Sequence, residues 1–225
     1  MPELTVVIPV YNEEKNIEAT LIETRKHLPG AKIIVVNDSS TDGSLNLLKK
    51  IKKKYSISII SHGRNRGYGA ALKTGFSNAK TKFVAFYDAD LTYHPKYVPM
   101  LLKAIKEKGL DCAWGNRFGG EFNQMPALRK IGNKLLLFML MAMTFRNVKD
   151  CCSGERVLSK KALERISYET LPNGLDFISA MSKRILSRRL RFAVMPINYS
   201  KRKGSSKLNV FLDFVRMGRN ILVER

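Results

Sequence analysis

Phe83-Val84-Ala85-Phe86-Tyr87-Asp88-Ala89-Asp90 is an unbroken apolar run that stops on two carboxylates spaced two residues apart. A short run without polar alternation reads as a strand buried on both faces, as in a parallel sheet covered by helices. The pattern repeats outward. Leu4–Val10 is a β-branched run, followed by a helical stretch from Glu13 to about Leu28 that Pro29-Gly30 ends. Lys32–Val36 and Ile57–Ser61 read as strands, with helical stretches reaching about Lys54 and running from about Gly67 to Ala79. Beyond the central run, Pro95 suits the first turn of a helix ending near Lys108, and Leu110–Trp114 returns as a strand. This alternation predicts an α/β fold with a mostly parallel central sheet and helices on both faces. Ligands of such sheets bind beyond the carboxyl ends of the strands, so the loops after Val10, Val36 and Tyr87 are the first places to search.

After about Gly120 the alternation fades. Met125–Phe145 reads as a helix with a basic start (Arg129, Lys130, Lys134) and an apolar remainder. A polar loop holding Cys151-Cys152-Ser153-Gly154 follows, then two helical patterns, a strand at Phe192–Ile197 and a basic loop at Lys201–Lys207. Asn209–Val223 places Val210, Phe211, Phe214, Val215, Ile221 and Leu222 at helical spacing with Arg216 and Arg219 elsewhere on the wheel, a basic amphipathic helix. No internal repeat or low-complexity segment occurs.

The 225 residues suit one domain, and 44% apolar content supplies a core. The net charge of +21 favours polyanionic partners: nucleic acid, anionic lipid headgroups or phosphorylated substrates. From Lys183 to Arg225, twelve basic residues face two acidic ones. No zinc-ligand spacing, paired aromatic RNA-binding motif or recognition helix supports the nucleic-acid reading. Cys112, Cys151 and Cys152 form no disulfide framework and read as small buried or half-buried residues in a reducing compartment. His27, His62 and His94 are scattered without metal-ligand spacing. The start, Met1-Pro2-Glu3-Leu4, lacks the features of a signal peptide. The longest apolar run, Leu135 to Met143, is shorter than the ~20 residues a membrane-spanning helix needs.

Side chains two apart in extended chain point the same way, so Asp88 and Asp90 can face one spot at the sheet edge. Hard divalent cations take one or two carboxylates together with phosphate oxygens, so a cation held there would bridge a diphosphate. Alone, such a pair is most often a solvated turn or a helix cap; its place at the end of a buried strand is what raises it. Pro9-Val10-Tyr11-Asn12-Glu13-Glu14 and Asn37-Asp38-Ser39-Ser40-Thr41-Asp42-Gly43 end the first two strands in the same way. Tyr11 can lie against a nucleobase, and Asp38 can accept from base N–H groups. Gly67-Tyr68-Gly69 resembles part of a dinucleotide fingerprint, but Leu72 replaces the third glycine, so these glycines read as close packing and not as a coenzyme loop.

Together, Val7–Glu13, Val36–Gly43, Asn65–Ala70 and Asp88–Asp90 occur in the order found in the family 2 inverting glycosyltransferases, which this chain resembles over nearly its whole length. Within that family it looks most like the dolichyl-phosphate mannose synthase branch, through Gly115-Asn116-Arg117, Ser153-Gly154-Glu155-Arg156 and Arg202–Leu208. The resemblance implies the GT-A fold as a single domain over 1–225, with a nucleotide-sugar half at 1–120 and an acceptor and membrane-interface half at 121–225. It implies that Pro9, Tyr11, Glu13, Val36 and Asp38 hold the nucleoside. Asp88, Ala89 and Asp90 would line the diphosphate and metal site, with Mg²⁺ or Mn²⁺ on Asp88 and Asp90 and Thr92 close by. Arg117, Arg129, Arg202 and Lys207 would bind phosphates: Arg117 and Arg129 that of the acceptor, Arg117, Arg202 and Lys207 those of the donor. Asp90, Arg202 and Lys207 would be catalytic. Arginine's forked, permanent charge suits that task, and lysine adds a compact point charge.

Three departures bear on sugar and base. Leu91-Thr92-Tyr93 replaces the usual ending after the aspartate pair, Glu155 stands where the branch has phenylalanine, and Ala180 stands where many relatives hold a carboxylate. A phosphate acceptor is already ionised and needs no general base, which fits Ala180, although Asp176 could substitute. The expected activity is inverting transfer of mannose from GDP-mannose to a polyprenyl (dolichyl) phosphate at the cytosolic membrane face. The protein would be held there peripherally by its basic amphipathic helices, or anchored if the natural chain continues beyond Arg225. UDP-glucose is the alternative donor, and a non-catalytic sugar-nucleotide-binding protein the alternative of another class.

Overall fold

The computed structural model describes residues 2–202 and 210–223. One seven-stranded sheet runs through the molecule in the order β3-β2-β1-β4-β6-β5-β7. The strands are β1 (Leu4–Val10), β2 (Lys32–Asn37), β3 (Ile57–Ser61), β4 (Phe83–Phe86), β5 (Cys112–Asn116), β6 (Arg156–Ser159) and β7 (Phe192–Pro196). All run parallel except β6, which lies antiparallel between β4 and β5. Five of the expected strands sit within two residues of their places, and Phe192–Ile197 is β7. The seventh strand of the sheet, β6, falls where a loop and helices were expected.

Helices α1 (Ile17–His27), α2 (Ser44–Ile51) and α4 (Val98–Lys108) follow β1, β2 and β4, with a 3-10 turn at Pro95–Tyr97 before α4. Helix α3 (Tyr68–Asn78) follows β3; α5 (Ala127–Thr144), α6 (Lys160–Arg165), α7 (Phe177–Ser187) and α8 (Val210–Val223) complete the chain. Alternate residues of each strand feed two cores, one on each sheet face: Val84 and Phe86 join Phe76, Trp114 and Phe177, while Phe83, Ala85 and Tyr87 join Ile8, Leu21 and Leu101. Helix α3 lies hard on β1, since a Cβ on Gly75 would come 2.1 Å from the Val7 side chain. Burying the sheet on both faces is what turns its strands into continuous apolar runs.

The sheet order reverses between β1 and β4, which opens a crevice beyond their carboxyl ends. Helices α5 and α8 pack together beside that crevice and against α7. Helix α5 buries only Leu136 and Leu140. Leu128, Ile131, Leu135, Phe138 and Phe145 stay exposed, Phe138 to 72%. The apolar run is therefore not an ordinary core helix. Among the described residues, no helix is long and apolar enough to cross a membrane.

Candidate functional site

Each loop leaving β1, β2 and β4 turns through one non-glycine residue with left-handed backbone: Asn12 (φ 55°), Ser39 (φ 59°) and Leu91 (φ 57°). Asparagine tolerates that region, whereas leucine holds it only where the surroundings impose it. The surroundings are explicit. Asn12 Oδ1 accepts from the Thr41 amide at 2.7 Å, and the Asn12 amide donates to Ser40 Oγ at 3.0 Å, which locks the first two loops together. The Glu13 amide donates to Ser44 Oγ at 2.8 Å, adding the start of α2. In the third loop, Thr20 Oγ1 of α1 donates to the Ala89 carbonyl at 2.7 Å, pinning the peptide between the two aspartates.

The carboxylates converge on one cavity, which Glu13, Asp38, Asp88 and Asp90 all line. Asp90 Oδ1 accepts from the Thr92 amide (3.0 Å) and hydroxyl (2.7 Å). Its Oδ2 meets Arg202 Nη1 at 3.3 Å, and the other arm of Arg202 pairs with Glu13. Arg202 thus ties the loop after β1 to the loop after β4. Asp88 Oδ1 accepts from the Tyr68 hydroxyl at 2.8 Å. Burial first, and the charge of Asp90 second, raise the Asp88 carboxyl to about 7. Burial, then Asp88, push the Tyr68 phenol well up, so it stays a donor. Two crowded carboxylates among oxygen donors are the chemistry a hard divalent cation requires, and the residues fit one.

Asp38 is more engaged than the sequence suggested. It accepts from the amides of Arg66 (2.9 Å) and Gly67 (2.8 Å) and pairs with His62 Nδ1 at 2.7 Å. That takes three of roughly four acceptor directions and leaves one on Oδ2. Gly67, with φ of 96°, admits no side chain: a Cβ would lie 2.5 Å from the Asn173 carbonyl oxygen. The close-packing reading of this glycine pair thus finds its partner in the segment before α7.

Among the other expected residues, Pro9, Tyr11, Ala89, Thr92, Arg117 and Arg129 line the same cavity. Val36 does not; it is fully buried in the core, and any hold on a nucleoside would not come from its side chain. Lys207 lies outside the described residues. Arg117 is 4% exposed, and its Nε (2.7 Å) and Nη2 (2.8 Å) grip Asp150, so most of its fork is committed inside the protein. Arg129 stands in the first turn of α5, where helix dipole and side chain both favour an anion. Asp176 does not replace the carboxylate missing at Ala180: its Oδ2 accepts from Asn220 of α8 at 2.6 Å, away from the cavity lining.

The cavity, about 660 Å³, changes character from floor to wall. Its floor is the carboxylate cluster; its wall is Leu128, Ile131, Leu135 and Leu136 of α5 with Phe214 and Met217 of α8. Sequence reasoning overlooked Asp213, a buried carboxylate on the same wall, and gave no role to Tyr68, Tyr93 or Tyr199. Glu155, which the sequence marked only as a departure from the branch, has carboxyl oxygens without a hydrogen-bond partner among the described residues, and burial pushes its carboxyl well up. The histidines are not all scattered. His27 and His94 each place Nε2 against Glu23 Oε2, at 3.4 and 3.3 Å. The Lys96 amide donates to His94 Nδ1, which leaves the His94 proton facing Glu23 and satisfies that pair without an ion.

A floor of strand-end carboxylates at the switch point is what a sugar-nucleotide site requires, and residues 5–167 match the family model described as glycosyl transferase family 2. The chain belongs to glycosyl transferase family 2. Among curated relatives of this family 2 chain, an uncharacterized protein of Methanocaldococcus jannaschii is 34% identical over 93% of the chain and 88% of its own length. The low-salt glycan biosynthesis hexosyltransferase Agl6 of Haloferax volcanii is 32% identical over 99% of the chain, and the dolichol-phosphate mannosyltransferase of Pyrococcus furiosus 30% over 92%. The matches span 54% and 59% of those two proteins, so the chain corresponds to little more than half of each. Glucosyl-3-phosphoglycerate synthase of Mycobacterium tuberculosis, solved with phosphoglyceric acid, superposes with a TM-score of 0.77 at 18% identity, covering 99% of this chain and 80% of that one. The same enzyme has been solved with Mn²⁺ and UDP. The architecture is GT-A.

Proposed function

We propose that this protein transfers a hexosyl group, mannose from GDP-mannose in the leading reading, to a polyprenyl phosphate such as dolichyl phosphate, with inversion at the anomeric carbon. The single observation that carries the reading is the continuity of the cavity. One end offers carboxylates suited to a cation-bound diphosphate; the other is an apolar trough between α5 and α8 with Arg129 at its rim. A sugar nucleotide and a lipid phosphate need those two environments meeting in one space.

The residues divide the work accordingly. Tyr11 lies at the nucleoside end, and Asp38 keeps one acceptor direction for it. Asp88 and Asp90 would hold Mg²⁺ or Mn²⁺, which when bound neutralises charge on the departing diphosphate. Arg202 has one arm on Asp90 and reaches the same diphosphate position; its permanent charge stabilises the leaving group. Arg129 orients the acceptor phosphate, one of whose oxygens attacks the anomeric carbon as the bond to the diphosphate breaks. No group has to take a proton from that oxygen, consistent with Ala180 being buried in the core. The exposed apolar side chains of α5 and α8, flanked by Lys130, Lys134, Arg216 and Arg219, suit a membrane surface carrying the lipid.

A donor panel of GDP-mannose, UDP-glucose and UDP-N-acetylglucosamine with dolichyl phosphate, with and without Mn²⁺ or Mg²⁺, tests this. Lipid-linked mannose formed only with cation is the expected result. Lipid-linked glucose alone would replace the donor and keep the class; free sugar as the sole product would remove the lipid acceptor.

A further inference from the structure

Cys151 and Cys152 are neighbours in sequence, and their sulfurs lie 3.5 Å apart. Cys152 is half-buried and lines the cavity, whereas Cys151 is 1% exposed. The peptide joining them is held at both ends. The Cys151 carbonyl accepts from Arg156 Nη2 (2.9 Å) and Ser182 Oγ (2.6 Å), while the Cys152 amide donates to Asp150 Oδ1 at 3.1 Å. That same Asp150 oxygen receives Arg117 Nη2, and the Asp150 carbonyl accepts from Trp114 Nε1 at 2.6 Å. Consecutive Cα atoms stand about 3.8 Å apart across a trans peptide, closer than the ~4.4 Å lower end usual for disulfides. A bond between these sulfurs is therefore strained, readily reduced, and formed only by twisting the peptide that Asp150 and Arg156 hold.

We propose that Cys151 and Cys152 are a redox-modifiable dithiol in the cavity wall, closed to a vicinal disulfide by a small peroxide, and that closure shifts Asp150 and loosens its grip on Arg117. The hydrogen bond from Cys151, helped by the nearby Arg117 charge, holds the Cys152 thiol below its ordinary range, against the effect of burial. Cys152 is thus the attacking sulfur. Its thiolate attacks one peroxide oxygen, the O–O bond breaks, and the departing hydroxide takes a proton to become water. The Cys152 sulfenic acid is then attacked by the Cys151 sulfur; the S–S bond forms, and the sulfenic oxygen leaves as water with the Cys151 proton. Two thiols are oxidised by two electrons and one peroxide is reduced to two waters. The third cysteine, Cys112, is buried in β5 and its thiol is pushed up to about 12 by burial, so it stays out of the reaction.

The test needs no glycosyl transfer. The intact protein is treated with hydrogen peroxide, and the proteolytic peptide holding both cysteines is weighed while emission from Trp114, the one tryptophan of the chain, is followed. The peptide is expected to lose the mass of two hydrogens, emission to change with the same time course, and both to revert with dithiothreitol, which leaves methionine oxidation untouched. Cys151→Ala should instead gain oxygen on Cys152 with no hydrogen loss, and Cys152→Ser should lose the peroxide response altogether. The proposal fails if the wild-type peptide only gains oxygen, or if the disulfide forms with Trp114 emission unmoved. It fails equally if Cys152→Ser responds like the native chain.

Discussion

Asp38 is held by two backbone amides and a histidine, while across the same cavity helix α5 buries just two of its eighteen residues. The floor of the cavity is polar and cross-tied, its loops locked to one another through Asn12, Ser44 and Thr20. The wall is apolar and open on its outer side, with Asn220–Asp176 as a side-chain tie from α8 to the start of α7. On the proposed reading, diphosphate recognition demands fixed dipoles and charges, whereas a polyprenyl chain demands only apolar area. One fold carries a cross-tied polar region and an open apolar region, and on that reading substitutions should fall into separate classes according to which they touch.

The largest effect is expected at the buried ion pair behind the cavity. Asp150→Ala would strand the buried Arg117 guanidinium and is expected to cost about 3–5 kcal/mol of stability, measurable by urea unfolding. A loss below about 1 kcal/mol would mean that the pair behaves as an exposed one and does not hold Arg117 in place. Next, Asp90→Ala should lower transfer by roughly a hundredfold to a thousandfold with the circular dichroism spectrum retained. Near-native turnover there would remove the floor from the chemistry. On the wall, Phe138→Ser should weaken binding to anionic vesicles by about tenfold to a hundredfold, in line with the ~1.5–3 kcal/mol that burying such a side chain is worth, and leave nucleotide affinity unchanged. A parallel loss of nucleotide binding would erase the distinction.

The smallest effect concerns protons. Asp88 titrates near 7 in the fold against about 3.9 in an unfolded chain, because burial and Asp90 disfavour its charge. Between those values the folded chain holds a proton that the unfolded chain has lost, so raising the pH destabilises the metal-free fold. Cation binding needs the carboxylate, so Mn²⁺ affinity should weaken about tenfold per pH unit below 7 and level off above it. A calorimetric titration series across that range checks the slope; a flat profile would take Asp88 out of the cation site.

The parallel framework was legible because burial on both faces writes strands as unbroken apolar runs, and because ligands of such sheets gather at one edge. Those two facts located Tyr11, Asp38, Asp88 and Asp90 together. Strand β6 was not legible. It is four residues long and begins on Arg156, a residue type that is rarely buried without partners. Its partners, the carbonyls of Ser153 and Cys151, the Ser182 hydroxyl and the Trp114 ring, meet only once the chain has folded. The same limit hid His94 beside Glu23 and His27: the spacing within α1 is visible, but the third member arrives from a distant loop. Asp213 was passed over because a lone acid on a basic amphipathic helix looks like solvated surface.

The bond from Thr20 to the Ala89 carbonyl gives helix α1 a say in matters it never meets. Thr20 is wholly buried behind the sheet edge, yet it holds the peptide whose two flanking acids line the cavity. On the proposed role of that pair, the cation it prefers can therefore drift through changes in a helix that does not line the cavity, so selectivity is heritable separately from the residues that express it.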